Sequence, residues 1–285
     1  MVRFGGMATL NSFIVYVAFN FEKLLLGRFW GAEALGIYGR AYQLINIPVE
    51  NLNNAIGGVA FSVLSRLQDD QNRFKRYFLN GYALVISLTL PITIACALFA
   101  DDIILLFLGP KWEAAAPIFR LLTPTILTFA LVNPFSSFLM SLGMVSRSLK
   151  IAFVLAPVMI TAYVLGLPYG PSGVAFAYSV AMTLSVVPLI VGCIHGTMIS
   201  LRDLLPTVSR PFISAISAGA IVFFAQLHYG QFLTPFQRLT LGVCTLLLAY
   251  LWMLLYVMGQ KAFYLDLYRG LWQRISMPEK VSETI

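Results

Sequence analysis

Apolar residues run along this chain in long stretches, separated by short polar or turn-forming breaks. A helix that crosses a membrane needs about 20 mostly apolar residues. Eight segments are read as such spans: 9–28, 34–65, 77–99, 115–141, 150–166, 173–195, 210–228 and 237–258. The breaks carry charge or turn chemistry: Arg66 to Arg76, Gly109-Pro110, Gly143 to Ser148, Leu167 to Gly173, and Leu233-Thr234-Pro235. The tail, 259–285, is polar with aromatic patches and is expected to lie on the membrane surface as an amphipathic helix. The pattern predicts an all-α, polytopic membrane bundle of about eight transmembrane helices.

Composition supports this. Of 285 residues, 59% are hydrophobic and 11% charged, against about 25% charged in a soluble domain. Residues 1–13 lead into the first span with no small-residue cleavage site, so that span is expected to be retained. The three cysteines form no metal-binding spacing and are expected to be free, packed thiols. His195 and His228 sit near helix ends, where interfacial placement is expected. No nucleophile–base constellation or phosphate-cradling glycine loop appears, and the reading calls for no cofactor. Asp101-Asp102 precedes a short apolar run and is expected to be a solvated end on the outer surface.

The net charge of +7 would suggest nucleic-acid binding in a soluble protein. Here the cations report topology instead. With the N-terminus in the cytoplasm, the inner regions hold Arg3, Arg66, Arg73, Lys75, Arg76, Arg147, Lys150, Arg202, Arg210, Lys261, Arg269, Arg274 and Lys280. The outer regions hold only Arg28, Lys111 and Arg238. That bias places both termini in the cytoplasm and brings the loop 66–76 to anionic lipid.

Polar residues inside the spans are the exception that needs a cause. Asn20, Glu22 and Lys23 lie in the first, and Arg40, Gln43 and Glu50 in the second. A central charge costs about 2.5–3.5 kcal/mol on insertion scales, so such residues face water, ligand or a partner. Projected at 100° per residue, Arg40, Gln43, Asn46, Glu50, Asn51, Asn53 and Asn54 fall within an arc of about 160°. Tyr38, Tyr42, Ile45, Val49, Leu52 and Ile56 fall opposite. For Asn46, Asn51 and Asn53, gluing to neighbouring helices is an equal reading. Arg40 offers a planar donor fork suited to phosphate oxygens. Glu22 and Lys23, adjacent and about 100° apart, each need a partner elsewhere, and Glu22 with Arg40 is the expected cross-helix pair. Arg120 is read as snorkelling to headgroups. Pro48 predicts a kink in the second span, which is too long for a straight crossing. Candidate substrate-binding residues are Arg40, Gln43, Glu50, Asn54, Glu22 and Lys23.

The stretch LLLGRFWGAEALGIYGRAYQLINIP (24–48) resembles a signature of polysaccharide exporters. FSVLSRLQDD (61–70), FRLL (119–122) and LPYGPSGVAFAYS (167–179) fit the same pattern. The chain is similar to the oligosaccharide and O-antigen flippases of the multidrug/oligosaccharidyl-lipid/polysaccharide exporter superfamily. The resemblance implies residues 1–200 as the second six-helix lobe, 201–258 as two additional transmembrane helices, and 259–285 as a cytoplasmic tail. It implies a polyprenyl-diphosphate-linked oligosaccharide as cargo, flipped in the bacterial inner membrane by alternating access, with Arg40 in GRAYQL against the diphosphate. It also implies a partner for this lobe, either a first lobe or a second copy. Membrane lipids are the other expected partner, and nucleic acid is not one. Three other readings stay open: a membrane polysaccharide polymerase or glycosyltransferase subunit, a multidrug exporter of the same superfamily, and a non-transporting scaffold.

The topology has a direct check. A single cysteine placed in 167–172 should react with a membrane-impermeant thiol reagent added outside intact cells, and one in 66–76 should not; reversed labelling overturns the orientation.

Overall fold

The computed structural model describes residues 2–67, 70–261 and 264, and of these the side chains of 2–5, 7, 8, 52–62, 229 and 231 are outside the description. The described residues form helices and no strand. In chain order they are α1 (Val2–Ala18), α2 (Phe21–Phe29), α3 (Gly31–Arg66), α4 (Gln71–Leu98), α5 (Ala100–Leu108), α6 (Ala115–Val132), α7 (Pro134–Ser141), α8 (Val145–Gly166), α9 (Gly170–Ile194), α10 (Leu201–Tyr229) and α11 (Pro235–Trp252). The fold is the expected all-α helix bundle, and all eight apolar segments are helical.

Two of those segments are broken rather than continuous. The first divides into α1 and α2 at Phe19-Asn20. Asn20 serves both broken ends: its amide nitrogen donates to the Tyr16 carbonyl at 2.8 Å, and its amide oxygen accepts from Lys23 at 2.7 Å. That answers one of the carbonyls a helix end leaves unpaired. The fourth segment divides into α6 and α7 before Pro134, which has no N–H to lose at a first helical position. Pro48, by contrast, lies inside the unbroken α3.

Caps explain two early starts. Asp70 accepts from the Arg73 amide at 3.0 Å and begins α4. Ser200 and Asp203 form a capping box, so α10 begins at Leu201 and not near 210. The charges at 202, 203 and 210 read as loop in the sequence, but an acidic residue in a first turn suits the helix dipole.

Among the described residues, five stretches are long and apolar enough to cross a membrane: Gln71–Leu98, Ala115–Ser141, Val145–Ile194, Leu201–His228 and Pro235–Val257. The third, 50 residues long, is a hairpin of α8 and α9. At its turn the two backbones touch, and a Cβ on Gly166 would lie 2.5 Å from the Gly173 carbonyl oxygen. Further along, the Tyr163 and Tyr178 rings pack at 5.5 Å. Trp30, between α2 and α3, ties that turn to the rest by donating its indole N–H to the Leu167 carbonyl at 2.9 Å.

Two cores form. One gathers Leu26, Tyr38, Ala41 and Ile45 with Phe119, Leu122, Met159, Tyr163, Val174 and Tyr178. The other gathers Leu64, Phe74, Phe78, Tyr82, Phe135 and Phe138 with buried residues of α9, α10 and α11.

The last two helices are fastened to α4 and α5 at both ends. Lys75 meets Asp203 at 2.7 Å, and Ile94 packs where Gly219 leaves room, so α10 runs parallel to α4. α11 runs antiparallel: the Tyr250 hydroxyl donates to the Ser87 carbonyl at 2.9 Å, Phe99 packs on the bare backbone of Gly242, and Arg238 meets Asp102 with both fork nitrogens. The reading of Asp101-Asp102 as one solvated end is therefore half right. Asp101 is exposed and pairs with Arg120 at 2.5 Å, whereas Asp102 is buried under α11. Adjacent residues on a helix point about 100° apart, and the partner of Asp102 lies 136 residues away. Arg120 is held by Asp101 and the Ala97 carbonyl. The three cysteines are free, though Cys244 is exposed rather than packed.

The Asp102 pair gives a prediction. Arg238→Ala strands a buried carboxylate and should cost about 2–4 kcal/mol, at the lower side of buried pairs because Arg238 is partly exposed. Asp102→Ala/Arg238→Ala should melt closer to the parent than Arg238→Ala alone, measured by thermal unfolding in detergent.

Candidate functional site

The polar face of α3 follows from its sequence period. Tyr38, Ala41, Ile45 and Val49 are buried, while Arg40, Gln43, Ile47, Glu50 and Asn51 are exposed along one side. At about 1.5 Å per residue this exposed strip runs for roughly 16 Å. Arg40 donates to Gln43 at 3.0 Å, and its guanidinium stands over the Trp112 ring at 5.5 Å. Both contacts are neutral, and no carboxylate pairs with Arg40 among the described residues. Its charge is oriented but not cancelled. The side chain of Asn54 lies outside the described residues.

Glu22 does not join this face. The sequence paired it with Arg40 in expectation, and the structure does not form that pair. Glu22 is 1% exposed, inside the core that holds α2 against α8 and α9. Its carboxylate faces the phenols of Tyr38, Tyr42, Tyr163 and Tyr178 at electrostatic range. Its own amide and that of Lys23 lie close, yet neither carboxylate oxygen makes a hydrogen bond. The hydroxyl of Tyr38 is likewise buried without a hydrogen bond, while that of Tyr178 lies close to the Tyr42 hydroxyl. The position of Glu22 in the first turn of α2 sets the positive end of the helix dipole near it, a partial compensation.

Lys23 points elsewhere. It meets the Asn20 amide oxygen and stands 5.3 Å from the Tyr42 ring. Five of the six sequence candidates thus separate: Arg40, Gln43 and Glu50 share the exposed strip, Glu22 is buried in the core, and Lys23 braces the α1–α2 break. The phenols around Glu22 were missed from sequence. Their signal was four tyrosines placed inside spans, where each hydroxyl needs an answer. Trp112 was missed too, because its turn between α5 and α6 reaches α3 only in the folded chain.

A separate groove lies between α8 and α9, walled by Leu165, Phe176 and Leu184. Its lining carries no charge, and it is distinct from the polar strip.

Residues 1–117 match the family described as polysaccharide biosynthesis protein. The teichuronic acid biosynthesis protein TuaB of Bacillus subtilis (strain 168) is 28% identical over 260 residues, 88% of this chain and 52% of that protein. The lipopolysaccharide biosynthesis protein WzxC of Escherichia coli (strain K12) is 30% identical over 165 residues, 58% of this chain and 34% of that one. Among solved structures, the lipid II flippase MurJ in an inward closed conformation superposes with a TM-score of 0.68 at 17% identity, covering 88% of this chain and 52% of that one. The likeness to the solved structure is one of fold. The chain spans about half the length of the teichuronic acid protein and of the flippase.

The buried, unpaired groups make a prediction that needs no knowledge of function. Glu22→Gln removes a desolvated charge and should raise the melting temperature, because the amide loses less on leaving water. Tyr38→Phe should be neutral or stabilising, since the hydroxyl has no partner to lose. A clear drop for both would reveal a bound group that satisfies them.

Proposed function

From the kinship of this chain with the polysaccharide biosynthesis proteins, whose family its first 117 residues match, we propose that it forms one lobe of a lipid-linked oligosaccharide flippase. The cargo is a polyprenyl-diphosphate-linked glycan of exopolysaccharide, capsule or lipopolysaccharide synthesis. It moves from the cytoplasmic to the periplasmic leaflet of a bacterial inner membrane. Both termini of the chain face the cytoplasm. Residues 1–200 make the lobe, 201–258 two accessory helices, and 259–285 a tail that falls, apart from 259–261 and Tyr264, outside the described residues.

The observation that carries this reading is Arg40, an exposed cation held by Gln43 and Trp112 with no acid among the described residues to neutralise it. A diphosphate is what such a fork accepts with gain: charge-assisted hydrogen bonds form without displacing a carboxylate. Gln43 and Glu50 continue the strip with hydrogen-bonding groups suited to sugar hydroxyls. The other wall of the cavity belongs to a second lobe or a second copy of this one. Transport then proceeds by rocking of the two walls about the polar strip.

Glu22 is the coupling group in this scheme. A buried carboxylate without a counter-charge is stable only neutral or with a cation beside it. Binding and release of that positive charge changes the cost of keeping α2 against α8 and α9, which ties an ion gradient to the shape of the lobe. The transport reading assigns no bond-making step to any residue of the chain.

Arg40→Ala, expressed at normal level in cells carrying the complete exporter, should lower glycan flipping about tenfold or more, the worth of one charged hydrogen-bonding group. Unchanged polymer export sinks the role of Arg40. In the same assay Glu22→Gln should leave a folded protein whose export no longer responds to collapse of the ion gradient.

A further inference from the structure

The two ends of the bundle differ sharply in charge. At one end meet the close of α3, the starts of α4, α8 and α10, and the close of α9. Leu64, Phe74, Phe138, Ile194 and Leu204 share one core there, and Arg147 donates to the Cys193 and His195 carbonyls at 3.3 and 2.6 Å. Eight cations gather at this end: Arg66, Arg73, Lys75, Arg76, Arg147, Lys150, Arg202 and Arg210. Only Asp70 and Asp203 oppose them among the described residues, and these are taken by Arg73 and Lys75. The other end is balanced. Arg28, Lys111, Arg120 and Arg238 stand there with Glu33, Asp101, Asp102 and Glu113, and two of those cations are paired.

Five exposed cations at the charged end therefore have no acidic partner among the described residues: Arg66, Arg76, Lys150, Arg202 and Arg210. Arg210 decides what kind of partner fits. It lies seven residues beyond Asp203 on α10, roughly 10 Å deeper along the helix. Ile213, one turn on from Arg210, is exposed, as are Phe212 and Ile216 on the same helix, which is of membrane-spanning composition. A soluble acidic protein or nucleic acid does not reach into an apolar band. A lipid phosphate does, because the long Arg side chain snorkels outward while the headgroup sits just above it.

We propose that this end of the bundle, along the seam of α4 and α10, binds the headgroups of anionic phospholipids, with Arg76, Arg202 and Arg210 as the phosphate-binding residues. Arg supplies two donors to one phosphate, and three cations along one seam attract anionic headgroups more strongly than one alone. The site is independent of the cargo: it lies on the face that α10 turns to the membrane, and the exposed strip of α3 takes no part. The Lys75–Asp203 pair joins α4 to α10 next in sequence to Arg76 and Arg202.

The test uses the purified full chain in vesicles containing spin-labelled phosphatidylglycerol or spin-labelled phosphatidylcholine, reading the motion-restricted fraction of each. At low salt the anionic lipid should be enriched about fivefold or more, the worth of one surface cation. In about 1 M salt, where the screening length is about 3 Å, the preference should fall toward parity. Arg76→Gln/Arg202→Gln/Arg210→Gln should abolish it with the melting temperature kept, and Lys111→Gln at the other end should leave it intact. Equal restriction of both lipids in the parent overturns the proposal. So does a preference that survives the triple substitution, or one removed by millimolar inorganic phosphate at constant ionic strength, which marks a soluble-anion site. Should the triple variant not fold, Arg210→Gln and the salt series on the parent decide between the same two outcomes: a preference weakened by both supports the site, and one unmoved by either overturns it.

Discussion

Hydrocarbon does not tolerate an unanswered charge, and that constraint accounts for where nearly every described ionic group in this bundle sits. Some are answered by each other across helices, as Lys75 is by Asp203 and Arg238 by Asp102. Some are turned outward, as Arg40 and Glu50 are on α3. Others are placed at the helix ends, where water and headgroups take over. Glu22 satisfies none of these rules, since it is buried and neither carboxylate oxygen makes a hydrogen bond. In a bundle that otherwise obeys the rule, so large an exception marks the place where the fold gives up stability for something else.

The ion pairs also divide the work of the chain. Each is modest in energy, yet together they fix register: Lys75–Asp203 and Asp102–Arg238 hold α10 and α11 at opposite ends of the α4–α5 unit. Phe99 on Gly242 and Tyr250 on Ser87 fill the span between. α10 and α11 are thus fastened to α4 and α5 along their length. The path from α1 through α2 to α3 is interrupted twice, at Phe19-Asn20 and at Trp30, and the Trp30 indole ties the second interruption to the turn between α8 and α9.

Much of this was legible in the sequence. Length and hydropathy are local quantities, so all eight apolar segments were found, and the helical period alone separated the exposed strip of α3 from Tyr38, Ile45 and Val49. What was not legible depends on contacts distant in sequence. Asp102 looked like half of a solvated pair because its partner enters from α11. Glu22 was matched with Arg40 because both were charges in want of company, whereas it is buried in the core, at electrostatic range of phenols on α3, α8 and α9. The start of α10 was misplaced because charges near a capping box resemble a loop when hydropathy is the guide.

The continuous α3 has one further bearing. Its 36 residues reach about 54 Å, well beyond a hydrocarbon core of about 30 Å. Tyr38, Ala41, Ile45 and Val49 belong to one buried core, and Leu64, near the other end, belongs to the second. The helix is thus a common axle for two hubs. Pro48 stands between the two hubs and removes one ladder hydrogen bond. A change of tilt at the polar strip is therefore either carried along α3 to the hub beside the starts of α4 and α10, or taken up as a bend at this one residue.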